Sequence, residues 1–226
     1  MAQAHTTKRR SYSEINREAE RAREFGNLRD SIDFCLNDYI DGPLRDSCKG
    51  RLVRHILPVS KMREPAKVDL CRKSSSIDLY VREDIWSDSK EKLPLPRFVL
   101  AHETGHICLH KDDSFGFSPY SEHAPRFIER EYFVEDQANN FADIFLLPDG
   151  AVRNFQSVRD LIDYCDYYCG VPEEAIRRRY GLVARSTSHH FGPKYDLSRL
   201  CSKCGSGRVS AILNYHKCDD CFNVSY

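Results

Sequence analysis

The segment PRFVLAHETGHICLH, residues 96–110, decides how this chain is read. It sets His102, Glu103 and His106 in the order His-Glu-x-x-His. On a helix the two histidines stand one turn apart on the same side, so both imidazoles reach one ion. Glu103 then lies about 100° round from His102, beside the ion rather than on it. A carboxylate there can take a proton from metal-bound water and pass it to a leaving amine, the chemistry of zinc-assisted peptide hydrolysis. Phe98, Ala101, Gly105 and Cys108 recur at i, i+3, i+7 and i+10, giving the helix a core face beside its metal face. Pro94 and Pro96 mark its start.

Three fixed positions in five also arise by chance, so a third ligand is required. A metzincin continuation needs Gly at 109 and His at 112, where this chain has Leu109 and Asp112. His110 lies about 12 Å along the axis from His102 at 1.5 Å per residue and cannot share its ion. The better source is RFIEREYFVEDQANNFADIFLLP, residues 126–148. Val134, Ala138, Phe141, Ala142 and Phe145 form one apolar helical stripe, and Pro148 ends it. Glu135, Asn139 and Ala142 follow at i, i+4 and i+7 along its polar edge. Packed against the first helix, Glu135 completes a two-histidine, one-glutamate set with water in the fourth position; Glu129, Glu131 and Asp136 compete for that role. Asn139, one turn on, is placed to orient a ligand imidazole. Ala138 and Ala142 are small enough for the two helices to approach closely.

Together, RFVLAHETGHICLH (97–110) and EDQANNFADIFLLP (135–148) resemble the ImmA/IrrE family of metallo-endopeptidases. Its pattern is RFTLAHELGH followed by ExxANxFAxxLLMP, and the likeness spans roughly residues 50–185. The resemblance implies that His102, His106 and Glu135 bind zinc and that Glu103 is the catalytic base. It also implies a substrate: a helix-turn-helix repressor whose cleavage releases genes for DNA-damage response, mobile-element transfer or antiphage defence. The chain departs from the pattern at Thr104, where the family usually has Leu, and at Phe145.

The rest of the chain is expected to be α+β: a zincin-like domain with a small antiparallel sheet and helices, plus a C-terminal zinc ribbon. Residues 1–45 read as an N-terminal helical segment, 46–185 as the metallopeptidase domain, and 186–226 as linker and ribbon. Ser11 and Glu14 have capping-box spacing at the head of a charged helix. NLRDSIDFCLNDYI (27–40) predicts a second helix, ended by Gly42 and Pro43. RLVRHILPV, KVDLC and SIDLYV predict strands. LIDYCDYYCGVPEEAIRRRYGLV (161–183) predicts two helices broken at Gly170 and Pro172; it reads as a packed helix pair or as a grip on repressor or DNA.

No run of apolar residues is long enough for a membrane span, and no secretory leader is apparent, so a cytoplasmic protein is expected. Ten cysteines then favour metal and free thiols over disulfides. Cys201, Cys204, Cys218 and Cys221 form C-x2-C, thirteen residues, C-x2-C, the spacing of a closed structural zinc site around a hairpin. The expected cofactors are thus two zinc ions, although manganese also suits the catalytic ligands. The formal net charge is zero, yet from residue 176 onward nine Lys and Arg face three Asp. That basic end makes single-stranded DNA a candidate activator. Cys35, Cys48, Cys71 and Cys165 read as small buried hydrophobes. Cys108, if the helix unwinds after His106, and Cys169, in a YCGVPEE stretch similar to the cysteine switch of matrix metalloproteinase propeptides, are candidate inhibitory ligands of the catalytic zinc. Tyr120 and His123, between the two motifs, are candidate oxyanion donors. The functional expectation is a zinc endopeptidase that cuts one bond in a partner repressor; the alternative is a non-catalytic regulator using the same metal scaffold.

Overall fold

The computed structural model describes residues 9–71, 76–111 and 128–186, together with three short strands at 209–212, 215–218 and 224–225. Helix α1 (Tyr12–Phe25) opens on the expected capping box: Ser11 Oγ accepts from the Glu14 amide, and the Ser11 amide donates to Glu14 at 2.8 Å. Ile15, Ala19 and Ala22 are buried on its inner face.

The second helix departs from expectation at both ends. Residues 27–35 are not helical; the chain turns through Asn27 and Arg29, both at positive φ. Buried Arg23 holds this turn by donating to the carbonyls of Arg29 and Ser31, at 2.6–2.8 and 2.5 Å, and also to Phe145 O. Helix α2 (Leu36–Tyr39) then passes through a π turn (Ile40–Leu44) into α3 (Arg45–Ser47), so Gly42 and Pro43 do not end it. The widened turn accommodates a proline ring that an ordinary α-turn would push into the preceding turn. Burial of Ile40 and Leu44 on either side of Pro43 holds the segment helical.

The three strands form where expected: β1 (Leu52–Leu57), β2 (Ala66–Cys71) and β3 (Ser76–Arg82). Their sheet is mixed rather than antiparallel. The order is β1-β3-β2, with β1 parallel to β3 (Leu52↔Ile77) and β2 antiparallel to β3 (Val68↔Leu79). The connection from β1, with its 3₁₀ turn at Val59–Lys61, leaves one strand's width open. β3 fills that gap and alternates Ile77, Leu79 and Val81 inward.

Helix α4 (Glu83–Lys90), not foreseen from sequence, leads into α5 (Pro94–His110). α6 (Ile128–Leu146) packs across α5, and α1 packs against both. Then come α7 (Asp149–Val152), α8 (Val158–Tyr164), a π turn (Cys165–Cys169) and α9 (Glu173–Ser186). Gly170 joins the last two helices at φ 56°, and a Cβ there would stand 1.6 Å from the Lys92 carbonyl. Only glycine meets both demands. The helix pair is committed to the body of the domain: Leu161, Ile162, Ala175, Ile176 and Val183 are buried. Near the C-terminus β4 (Val209–Ile212), β5 (Tyr215–Cys218) and β6 (Val224–Ser225) form an antiparallel sheet, consistent with the expected hairpin. Cys201, Cys204, Cys221 and the Cys218 side chain lie outside the described residues, as do Tyr120 and His123. Among the described residues, no helix is long and apolar enough to cross a membrane.

Candidate metal centre

Two buried arginines fix the helices that build the site. Arg97, in the first turns of α5, donates to Ile32 O at 3.0 Å and to Cys169 O. Arg179 donates to Leu147 O at 2.8 Å and to Asp149, just beyond the end of α6. Between these anchors α5 and α6 cross at Gly105. A Cβ on Gly105 would lie 3.1 Å from Ala138 O and from Phe141 Cδ1, closer than ordinary contact. Glycine on one helix and Ala138 on the other therefore set the spacing at which ligands from both helices meet.

At that spacing His102, His106 and Glu135 bring their ligand atoms within 4.8 Å of one another. His102 Nε2 is 3.0 Å from His106 Nε2 and 3.0 Å from Glu135 Oε2; His106 Nε2 is 3.4 Å from Glu135 Oε1. His102 Nδ1–H donates to Asn139 Oδ1 at 2.9 Å, which leaves the Nε2 lone pair aimed into the cluster. Two imidazoles and one carboxylate from two helices are the donor set of a catalytic zinc site with one open position. The Glu135 side chain is 46% exposed while His106 is 7% exposed, so the cluster opens to solvent on the α6 side.

The electrostatics are those of a buried, mutually stabilised set. Burial opposes charge on His102, but in the protonated ring the Nε2–H bond to Glu135 and the Glu103 and Glu135 charges outweigh it and raise its pKa. Burial likewise opposes charge on Glu135, yet hydrogen bonds from both imidazoles hold its carboxyl well below the ordinary range. Glu103 is raised, chiefly by burial, with the nearby histidines and the Val68 amide partly offsetting the effect. β2 is an edge strand of the sheet, so Val68 brings a main-chain donor from the sheet to the helix carboxylate.

Other sequence candidates fall elsewhere. Asp136 is exposed and outside the ligand cluster, and the side chains of Glu129 and Glu131 lie outside the described residues. α5 runs unbroken to His110, so Cys108 faces away from the cluster, toward Cys48. Burial pushes its thiol up to about 12. Cys169 is buried in the π turn, where a thiol hydrogen bond pairs it with Cys165. Neither cysteine belongs to the cluster. His110 is fully buried one turn past His106 and accepts from Arg10 Nη1 at 3.2 Å. The Arg10 amide donates to Gln137 Oε1 at 3.1 Å, and Arg9 lies over the Phe133 ring. The chain just before α1 thus ties α5 to α6 next to the ligands. Sequence reasoning missed this clasp; its signal was the pair Arg9–Arg10 ahead of the capping box.

The family whose description matches is the IrrE N-terminal-like domain of the M78 peptidases, over residues 61–180, more than half of the chain. The chain belongs to that family. Among curated proteins, none matches it. The matched segment runs from just before β2 into α9 and contains His102, Glu103, His106 and Glu135. An M78 domain implies a metallopeptidase, and the His-His-Glu cluster is consistent with a zinc centre in one.

Proposed function

We propose that this protein is a zinc-dependent endopeptidase whose substrate is a helix-turn-helix repressor, cut at one peptide bond to derepress stress or defence genes. The observation that carries the reading is the convergence of His102, His106 and Glu135 within 4.8 Å beside buried Glu103, in an M78 domain. His102, His106 and Glu135 hold the metal, which when bound supplies Lewis acidity and lowers the pKa of its water. Asn139 keeps the His102 ring in register through Nδ1. Glu103 accepts the proton of the attacking water at its carboxylate and delivers it to the departing amine nitrogen. Burial raises its pKa, which favours its uptake of that proton.

Cys201, Cys204, Cys218 and Cys221 hold a second, structural zinc in the C-terminal ribbon, at the spacing of paired knuckles. The basic end from residue 176 onward makes single-stranded DNA the proposed activator, and the cytoplasm is the compartment in which repressor and DNA are met. Incubation with a helix-turn-helix repressor encoded beside the gene, in parallel with Glu103→Gln, followed by intact mass, tests the reading. One clean cut that the variant lacks is expected. No cut, with DNA and reductant present, would favour a non-catalytic regulator. A cleavage rate indifferent to oligonucleotides of any length or strandedness would remove DNA as activator.

A further inference from the structure

The face of α5 that carries His102 continues toward its N-terminus through Phe98 and Leu95, at i−4 and i−7. Leu95 is 65% exposed, and Phe98, which packs against the core, is only half-buried. Across from them stand Asp136 and Asn139 of α6, and the first turns of α9 close the third side with Glu174 and Arg178. These side chains enclose a groove of about 420 Å³, within the size range of ligand clefts and roomier than one side chain needs. Asn139 lines it, and its Oδ1 is hydrogen-bonded to His102, so one side chain separates the groove from the candidate metal cluster.

The charge along the rim has a sign. Arg178 is held by Asp143 through two hydrogen bonds of 2.8 and 2.9 Å, which neutralises it in place. Asp136 and Glu174 leave the rim acidic over an apolar floor. We infer that this groove is a substrate subsite, taking an extended segment in which bulky apolar side chains alternate with lysine or arginine. The apolar side chain lies on Leu95 and Phe98, and the neighbouring cation meets Asp136 and Glu174. The inference rests on the peptidase reading and names the substrate class it selects.

Two fluorescein-labelled peptides test it, Leu-Lys-Phe-Arg and Leu-Glu-Phe-Glu, each framed by Gly and Ser. Their binding to zinc-loaded Glu103→Gln protein is measured by fluorescence anisotropy at low and high salt. The basic peptide is expected to bind about tenfold more tightly than the acidic one, the difference shrinking with salt. Asp136→Lys with Glu174→Lys, added to that background, should reverse the preference, and the uncharged Leu95→Ser should weaken the basic peptide by about tenfold. Equal binding of the two peptides, a preference that survives the charge reversal, or no binding of either overturns the subsite. Parallel incubation with active protein separates the two ideas. Cleavage that ignores Leu95, Asp136 and Glu174 keeps the peptidase and sinks the groove; groove-dependent binding without cleavage does the reverse.

Discussion

Replacing Asn139 by leucine removes the acceptor from His102 Nδ1–H at nearly constant size, and its consequence can be worked from the geometry. The hydrogen bond is 2.9 Å long and is the contact that turns Nε2 toward His106 and Glu135. A lost hydrogen bond costs about 1 kcal/mol, and leaving a buried donor unsatisfied costs about 1–3 kcal/mol. Asn139 is only half-buried, so water relieves part of this, and a net cost of about 1.5–2.5 kcal/mol remains. That corresponds to zinc affinity lower by roughly 10–70-fold, within the range seen when a ligand histidine loses its outer partner. Asn139→Asp keeps the acceptor and adds charge, so it should bind zinc at least as tightly as the wild type. The assay is zinc titration of chelator-stripped protein against a chromophoric competitor, with circular dichroism confirming that each variant is folded. An Asn139→Leu protein with the wild-type dissociation constant, or an Asn139→Asp protein as weak as the leucine variant, would refute the orienting role.

Three further outcomes are expected. Gly105→Ala gains about 1 kcal/mol of helix propensity but overpacks the α5–α6 crossing by about 1–3 kcal/mol, so urea denaturation should show a small net loss while zinc affinity falls more clearly. An affinity equal to wild type would show that the crossing has slack. Arg23→Met strands the carbonyls of Arg29, Ser31 and Phe145 and should cost about 3 kcal/mol in the same assay; a loss under 1 kcal/mol would mean water replaces the guanidinium. With metal chelated, raised His102 contributes stability that is complete below its ordinary 6.5 and lost as pH rises through its folded value. Depressed Glu135 contributes stability present above its ordinary 4.5 and lost as pH falls through its folded value. The Tm gap between chelated wild type and Glu135→Gln should therefore be widest between those two values and narrow on either side. A gap that does not vary with pH would contradict the ion pair.

Much of the candidate metal cluster was legible in the sequence because its geometry is local. Residues four apart on a helix share a side whatever the helix packs against, so His102 and His106 needed only a helix, whereas the choice of Glu135 over Asp136 needed the packing of α6 on α5. The capping box at Ser11, the stop at Pro148 and the break at Gly170 were readable for the same reason: each is decided by dihedrals and hydrogen bonds within one turn of chain.

What the sequence alone did not determine depends on partners far away along the chain. Strand order was one such property, because alternation in β3 says which face is buried but not that β3 lies between β1 and β2. The helix through Gly42–Pro43 was another: local propensity ended it, and burial of Ile40 and Leu44 overrode that propensity. Arginines 23, 97 and 179 look like surface charges in sequence and become interior clamps only once distant carbonyls converge on them. The same holds at the centre of the site. Sequence named Glu103 as the base, but only the tertiary structure brought the Val68 amide to it and laid the apolar groove beside His102, because both depend on how sheet and helices pack rather than on any one helix's periodicity.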